Sequence, residues 1–321
     1  MKVSGVDHLH VFQPDLEVAA NFLSDVLGIR WLSVIERDWV HIRVTFCDAG
    51  MEIIQPTGGD KIGIEEHLNK HGPGIGSVGV FVNDIEACIS DLESKGVVLK
   101  SRGSYPTRPE IDIRASIFTP ESAHGVPIEI VEYGDIAPMA TASLDWVSEM
   151  SWMQPEVKPD AALKVGRLHH LNLFQDNLEI STKFFSKIFG LKWVGPIEVP
   201  ELKLRVAYSD AAINIIQPMG QDNYGVADYM KKHGEGVGSL GFKVPDIEAA
   251  IKVLQSKGVR LLSKGVYGTR KTDLKSAVFD PDTAYGLMIE LVEYQDTAPV
   301  ALANLDWVKR LPWMEKLPWT V

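Results

Sequence analysis

Apolar and polar residues follow the same succession several times along the chain. Residues 8–12 alternate in the way of a half-buried strand, and residues 16–27 carry apolar side chains three and four positions apart. This spacing predicts a helix with one face on a core, and Gly28 is a typical helix stop. Later segments repeat the order strand, helix and three strands, with strands predicted at 40–46, 51–54, 77–82, 97–99, 115–118 and 127–131 and helices at 64–71 and 85–92.

The second half of the chain repeats the first at an offset of 162 residues. Over residues 6–32 the two copies are identical at 10 of 27 positions, and over residues 70–86 at 11 of 17. Such self-similarity predicts a tandem duplication, with the join near residues 150–163. We expect a first unit at residues 1–136, a connecting segment at 137–163, a second unit at 164–297 and a tail at 298–321.

The repeated pattern predicts an α+β fold of four βαβββ modules that form two curled mixed sheets, one in each copy. A single module leaves a sheet face that it does not cover alone. Two modules side by side curl their sheets around a shared cleft, and this cleft is the expected place for a functional site.

Composition and charge limit the classes of partner that the protein is expected to bind. The chain has 321 residues, of which 45% are hydrophobic, and a net charge of −11. Without a basic stripe we expect neither nucleic-acid nor membrane binding. The start of the chain lacks the apolar core of a signal peptide, and the two cysteines, Cys47 and Cys88, form no disulfide framework or metal motif. We therefore expect free thiols and a cytoplasmic protein.

Two glutamates stand inside apolar strand patterns. Glu129 lies between Ile128 and Ile130, and Glu290 lies between Ile289 and Leu291. A carboxylate at such an inward position is costly unless it is paired or ligated, which favours a role in the cleft. Both are therefore candidate catalytic residues and candidate metal ligands.

The ordered motifs of both copies resemble the vicinal oxygen chelate superfamily, and most closely its methylmalonyl-CoA epimerase-like members. The superfamily also includes glyoxalase I and the extradiol dioxygenases. The resemblance spans about residues 3–134 and 165–295. Its carriers are Asp7-His8-Leu9, Ile53-Ile54-Gln55-Pro56, His71-Gly72-Pro73-Gly74, Asp84-Ile85-Glu86-Ala87 and Gly125-Val126-Pro127-Ile128-Glu129.

The resemblance implies the vicinal oxygen chelate fold and a divalent metal in the cleft, of the class Co, Ni, Mn, Fe or Zn. Carried over position by position, it implies His8, Gln55 and Glu129 as metal ligands in the first copy. In the second copy it implies His170, Gln217 and Glu290.

The sequence departs from the family pattern at one equivalent position in each copy. Ser77 and Ser239 stand where the family usually has histidine, and a serine hydroxyl is a poor metal ligand. We expect these serines to bind substrate, with an open coordination position beside them. The departure counts against an iron dioxygenase, which uses two histidines and one carboxylate.

Four further residues complete the predicted site. Glu36 and Glu198 match the region in which the epimerase carries a proton-transfer glutamate, so the resemblance implies a catalytic role for them. Arg108 and Arg270 follow Tyr105 and Tyr267 in equivalent segments, each predicted as a loop before a core strand. An arginine there could hold a substrate carboxylate or phosphate, although a solvated loop pair is the alternative.

The sequence thus predicts a metal-dependent isomerase, epimerase or lyase that abstracts a proton next to a carbonyl of a small oxygen-rich substrate, with a metal-stabilised enolate. Two alternatives remain: a ring-cleaving or keto-acid dioxygenase with non-haem iron, and a non-catalytic small-molecule binding protein. A homodimer is compatible with the pattern. Whether both copies are active stays open.

Overall fold

The two halves of the chain fold as two copies of one curled sheet. The computed structural model describes residues 3, 5–32, 34–47, 49–108, 111–133, 155–156, 163, 165–267 and 274–293. Each repeat contributes one eight-stranded sheet that mixes parallel and antiparallel pairs. The predicted α+β fold with two curled mixed sheets is therefore confirmed.

The first repeat has nine strands and three helices among the described residues. The strands are β1 (His8–Phe12), β2 (Trp31–Leu32), β3 (Ile35–Arg37), β4 (Ile42–Phe46), β5 (Met51–Pro56), β6 (Gly74–Phe81), β7 (Leu99–Arg108), β8 (Ile111–Phe118) and β9 (Ile128–Tyr133). The helices are α1 (Leu16–Leu27), α2 (Ile64–His71) and α3 (Ile85–Ser94). The sheet order is β3-β4-β5-β1-β6-β9-β8-β7.

The second repeat has the equivalent order. A short strand, β10 (Pro155–Glu156), precedes it and pairs with β2. The sheet strands are β11 (His170–Phe174), β12 (Trp193–Val199), β13 (Leu204–Ser209), β14 (Ile213–Pro218), β15 (Gly236–Lys243), β16 (Leu261–Tyr267), β17 (Leu274–Phe279) and β18 (Met288–Glu293). The helices are α4 (Leu178–Phe189), α5 (Val226–His233) and α6 (Ile247–Ser256).

Capping residues determine where α1 and α4 begin and end. Asp15 caps α1, because its side chain accepts a hydrogen bond from the Val18 amide at 3.0 Å. Gly28 ends the same helix in the left-handed conformation, with φ 72°. In the second repeat Asn177 and Gly190 take the same two roles around α4.

Some predicted limits differ from the structure. The strand predicted at 40–46 starts at Ile42, because the preceding residues turn and His41 has φ 59°. The segment through Arg108, predicted as a loop, belongs to β7. Most of the connecting segment, the whole C-terminal tail, and therefore the proposed domain limits at 136 and 297 lie outside the described residues. Both cysteines are free thiols, as expected.

The central strands set the position of the cleft. β1 runs parallel to β5 and antiparallel to β6, and β6 runs parallel to β9. In this register His10 lies opposite Glu52 on β5 and opposite Ser77 on β6, while Gly79 lies opposite Glu129 on β9. Polar side chains from four adjacent strands therefore meet at the middle of the sheet.

The two repeats pack against each other with related contacts. The Gln13 side chain donates a hydrogen bond to the Tyr285 carbonyl at 2.8 Å, and Gln175 donates to the His124 carbonyl at 2.9 Å. Beside the first of these bonds, Gly286 lies against the backbone of Pro73. A Cβ on Gly286 would lie 1.8 Å from the Pro73 carbonyl oxygen.

Replacing Gly286 with alanine is therefore expected to destabilise the protein by about 3 kcal/mol, since the new methyl group meets backbone and φ is +79°. Gly258→Ala is the matched control. Its φ is +84°, but no atom lies within 4 Å of the added Cβ, so backbone strain of about 1 kcal/mol is the expected cost. Urea unfolding measures both, and equal losses would contradict tight packing between the repeats.

Candidate functional site

The first repeat holds a buried cluster of two imidazoles and two carboxylates. His8 and His10 both extend from β1 toward the cleft, because residues two apart on a strand share a face. Glu52 reaches the cluster from β5 and Glu129 from β9. All four side chains are buried, with 4–9% of the residue surface exposed.

The polar atoms of the cluster lie at hydrogen-bond distances. Glu129 Oε2 lies 2.9 Å from His8 Nε2 and 3.2 Å from His10 Nε2. Glu52 Oε2 lies 3.2 Å from His10 Nε2, and Glu52 Oε1 lies 3.8 Å from His8 Nε2. The two Nε2 atoms are 3.2 Å apart. Four potential ligand groups thus point at one small volume.

This arrangement fits a divalent metal. One ligand atom from each of His8, His10 and Glu52 lies within 4.8 Å of the others, and all three residues are buried. Two imidazoles with a carboxylate suit Zn, Fe, Co or Ni. Outside this cluster, no group of three His, Cys, Asp or Glu side chains converges in this way among the residues that the structure describes.

The charged groups of the cluster shift the pKa values of His8 and Glu129. Burial alone would lower the pKa of His8, but the charge of Glu52 and the contacts with Asp7 and Glu129 raise this pKa well above its usual value. Burial alone would raise the pKa of Glu129, but His10 and His8 lower it. The carboxylates therefore favour a cation at this point of the sheet, whether a proton or a metal ion.

A glycine on β6 makes room for the first imidazole. A Cβ on Gly79 would lie 2.4 Å from His8 Cε1, so any larger residue would push the ring out of the cluster. In the second repeat a Cβ on Gly241 would lie 1.9 Å from His170 Cε1. The glycines of the repeated motif thus allow each histidine ring to lie flat on the neighbouring strand.

An apolar cavity opens beside the cluster of the first repeat. It is lined mainly by aliphatic and aromatic side chains of β1, β4, β5, β8 and β9, and Arg37 adds one cationic group. A mostly apolar cavity with a few convergent polar groups is the usual form of a small-molecule site. Its apolar lining includes Phe12, Ile42, Val44, Phe46, Ile54 and Ile117.

The same place in the second repeat is built differently. Asn172 stands at the position of His10, and Asn214 at that of Glu52. Asn172 Nδ2 donates to Glu290 Oε2 at 2.7 Å and to Ser239 at 2.8 Å, while Asn214 Nδ2 donates to Asn172 Oδ1 at 3.1 Å. Amides thus replace two of the four ligand groups.

The remaining pair in the second repeat is satisfied within the protein. His170 Nε2 lies 3.0 Å from Glu290 Oε2, and Ser276, which replaces Ala115 of the first repeat, donates to Glu290 Oε1 at 2.6 Å. The positions equivalent to five residues of the cavity wall belong to a buried apolar cluster that includes Leu204, Val206, Ile216, Tyr224 and Val278.

The lowered pKa of Glu290 predicts that acid destabilises the protein. Burial alone would raise its pKa, but the contact with His170 and the Ser276 hydroxyl lower that pKa to about 2 from an ordinary 4.5. A carboxyl with a lowered folded-state pKa stabilises the fold above its unfolded value, and this contribution is lost as the pH falls from 4.5 toward 2. Glu290→Gln should cost on the order of 3 kcal/mol at pH 6 and much less near pH 2.5.

Urea unfolding of both proteins at the two pH values measures this difference. Glu198→Gln, which changes an exposed glutamate, is the control and should leave the difference near zero. A cost for Glu290→Gln that does not change with pH would contradict the ionised buried pair.

The structure brings some predicted site residues together. His8 meets Glu129, and His170 meets Glu290. Ser77 Oγ lies 2.7 Å from His10 Nδ1, so this serine contacts the cluster through a histidine. Ser239 accepts from Asn172 in the equivalent place.

The predicted glutamine ligands lie on the other face of the sheet. Gln55 Oε1 accepts from Arg43 Nη1 at 3.0 Å and from the Leu16 amide at 3.3 Å, which places it beside α1. Gln217 Oε1 accepts from Arg205 Nη1 at 2.9 Å in the same way. Glutamine and glutamate three positions apart on a strand face opposite sides, so Glu52 reaches the cleft and Gln55 does not.

The predicted proton-transfer glutamates also lie outside the cluster. The Glu36 side chain is 71% exposed and lies 3.8 Å from the Arg43 guanidinium. Glu198 is exposed and pairs in register with Arg205. Both lie on the outer face, and their catalytic role stays a prediction.

Arg108 belongs to β7, but its side chain lies outside what the structure describes, and Arg270 lies outside the described residues altogether. Their role in substrate binding stays a prediction. No described helix combines the length and apolarity needed to span a membrane. The expected compartment and the homodimer remain predictions.

Sequence reasoning missed His10 and Glu52. Two signals point to them: His10 is two residues from His8 on one strand, and Glu52 stands between Met51 and Ile53 in a buried strand. The differences His10/Asn172 and Glu52/Asn214 between the copies are also visible in the sequence. They distinguish the two clefts.

Comparisons with known proteins agree with the fold. A 26% identical region of 136 residues, 40% of this chain, matches 74% of the mitochondrial methylmalonyl-CoA epimerase of Bos taurus. The mouse (Mus musculus) protein of the same name is 33% identical over 100 residues, which are 30% of this chain and 56% of that protein. These are relatives of one repeat at low identity.

The whole chain resembles larger solved structures. A triple mutant of 4-hydroxymandelate synthase from Streptomyces coelicolor superposes with a TM-score of 0.66 and 16% identity, covering 97% of this chain and 100% of that one. This likeness shows the fold. The sequence signature of the Glyoxalase/Bleomycin resistance protein/Dioxygenase superfamily matches residues 7–114 and 169–278. The chain therefore belongs to this superfamily, with one domain of it in each repeat.

Proposed function

We propose that the first repeat is a metal-dependent isomerase or epimerase site that moves a proton next to a carbonyl group of a small oxygen-rich substrate. The observation that carries the proposal is the buried cluster of His8, His10, Glu52 and Glu129 beside an apolar cavity. The second repeat serves as a scaffold, because amides and apolar side chains fill its cleft.

Three residues would hold the metal and one would handle the proton. His8, His10 and Glu52 offer the converging ligand atoms. Held by these residues, a divalent metal would supply Lewis acidity toward oxygen atoms of the substrate. The Glu129 carboxylate lines the cavity and lies 2.9 Å from His8 Nε2, so it would be the group that accepts a proton from the substrate carbon and returns it.

The cavity favours a substrate with an apolar part and an anionic part. Aliphatic and aromatic side chains line most of its wall and offer a surface on which the apolar part of a substrate would pack. Arg37, which also lines the cavity, supplies a positive charge for a carboxylate of the substrate. Ser77 holds His10 in place through its hydroxyl group.

A second candidate function has its own support. Two histidines and one carboxylate are the ligand set of non-haem iron oxygenases, and His8, His10 and Glu52 supply this set. The objection from the sequence, one histidine in each copy, no longer applies once His10 joins the cluster. A keto-acid or ring-cleaving dioxygenase is therefore the alternative.

One experiment separates the two. The full chain is loaded with Co²⁺ or Fe²⁺ and incubated in D₂O with methylmalonyl-CoA, other thioesters that carry an acidic α-proton, and 4-hydroxyphenylpyruvate. The proposal predicts deuterium at the α-carbon with no oxygen uptake. Oxygen uptake that requires Fe²⁺ would support the dioxygenase, and neither signal from the loaded protein would favour a binding protein.

A further inference from the structure

Asp7 contacts the ring of His8 at Nδ1, on the side away from Glu129 and His10. It precedes His8 on the chain, and only 5% of its surface is exposed. Its Oδ2 atom accepts a hydrogen bond from His8 Nδ1 at 2.8 Å and another from the Tyr133 hydroxyl at 2.7 Å. One buried carboxylate oxygen therefore ties the first imidazole to the end of β9.

The hydrogen bond to Asp7 determines which ring nitrogen faces the cleft. The Asp7 oxygen accepts this hydrogen bond, so His8 Nδ1 carries the proton and Nε2 is the atom left for a metal. Nε2 is also the atom that lies 2.9 Å from Glu129 and 3.2 Å from His10. Burial and the charge of Asp7 raise the pKa of Tyr133 well above 10, so its hydroxyl group stays a donor to Asp7.

The second repeat lacks this arrangement. His169 stands at the position of Asp7, and its Nδ1 lies 2.9 Å from Nδ1 of His170. An imidazole thus stands where the first repeat has the Asp7 carboxylate, and the same repeat has amides in place of two of the four ligand groups.

The second half of the chain also contributes to the site of the first. Arg167 lines the same cavity as Asp7, at the point where the segment before β11 crosses the first repeat. A Cβ on Gly50 would lie 3.5 Å from Arg167 Nη2 and 3.6 Å from the main-chain carbonyl oxygen of Asp7, so the guanidinium group lies near the Asp7 backbone. Burial lowers the pKa of Arg167, and the charge of Asp7 opposes that shift. The buried Asp7 Oδ1 has no hydrogen-bond partner in the part of the chain that the structure describes.

We infer that Asp7 and Tyr133 are positioning residues for the first repeat, which fix the ring of His8 with Nε2 toward the cleft, and that Arg167 compensates the charge of Asp7 across the repeats. The inference rests on the proposed function for its metal. The orientation of the ring is a property of the protein alone.

The test uses the full chain and four variants. Asp7→Asn keeps the shape of the side chain but removes its charge, and Tyr133→Phe removes only the hydroxyl group. Arg167→Gln removes the charge from the second half. His169→Asn, at the equivalent place in the second repeat, is the matched control. Calorimetry measures Co²⁺ affinity, thermal unfolding checks the fold, and NMR of the histidine rings follows the Nδ1 proton of His8 in metal-free protein.

Asp7→Asn should weaken Co²⁺ binding about 10- to 100-fold, the usual effect of losing such an outer partner, and move the His8 Nδ1 proton upfield. Tyr133→Phe and Arg167→Gln should give smaller changes in the same direction, and His169→Asn should give none. An unchanged His8 resonance and unchanged Co²⁺ affinity in folded Asp7→Asn would overturn the inference. If the parent protein binds no Co²⁺, the proposed function fails, and the His8 resonance alone decides whether Asp7 orients the ring.

Discussion

Replacing His10 and Glu52 together with asparagine should reduce the affinity of the protein for Co²⁺ by at least about 100-fold, because two of the three converging ligands are lost. The substitutions copy the second repeat, in which Asn172 and Asn214 form a hydrogen bond at 3.1 Å. The sheet therefore accommodates this amide pair, and we expect the variant to fold. Calorimetric titration of the full chain with Co²⁺ measures the loss.

The matched control changes the other repeat. His170→Asn removes the only imidazole that faces Glu290 in the described part of the second cleft, and it should leave Co²⁺ affinity unchanged. Equal losses in both variants would mean that the two clefts share the metal. An unaltered affinity in the double variant would mean that the metal binds elsewhere on the protein.

Replacing Glu129 with glutamine should lower the rate of deuterium exchange by about 10²- to 10⁴-fold, the range typical for loss of a general base. The amide keeps the size of the side chain but accepts a proton poorly. Since His8, His10 and Glu52 remain, Co²⁺ should still bind. The rate is measured with metal-saturated protein, so that a change in occupancy does not contribute.

Glu36→Gln is the control, and it also tests the base that the sequence indicates. Glu36 lies on the outer face near Arg43, and its side chain is 71% exposed. We expect its replacement to leave the exchange rate within about twofold of the parent, as for a surface substitution away from the site. If Glu36→Gln abolished exchange and Glu129→Gln did not, the assignment of the base would be reversed.

The fold could be predicted from the sequence because two independent signals agree. Alternation and helical spacing predict the βαβββ order, and the repeat at residues 170–174 confirms the strand predicted at 8–12. Capping residues such as Asp15 and Gly28 then set the helix limits within a residue or two. Turns such as that at His41 depend on local backbone geometry, which the pattern does not encode.

The candidate site could be predicted from the sequence only in part, and the reason is physical. In β5 the residues from Met51 to Ile54 are all buried, so burial gives no alternation that marks the face toward the cleft. Gln55 and Glu52 are then equally plausible until the position of α1 is known. β1 shows the same continuous burial, and this hides the fact that His10 shares a face with His8.

The two repeats differ around a histidine and a glutamate that both retain. Each copy retains a histidine and a glutamate in contact, His8 with Glu129 and His170 with Glu290. In the second copy, Ser276 and Asn172 donate hydrogen bonds to the buried carboxylate, which removes the cost of leaving it unpaired, and Asn214 donates to Asn172 Oδ1. The second copy thereby becomes a stable partner for the first.

The central claim, one metal centre in the first repeat alone, is tested most directly by X-ray diffraction from crystals of the full chain soaked with Co²⁺. Anomalous difference density collected at the cobalt absorption edge shows where the ion binds. The account predicts one strong peak between His8, His10 and Glu52, and none between His170 and Glu290. Peaks of equal height in both clefts, or a peak only in the second, would contradict it.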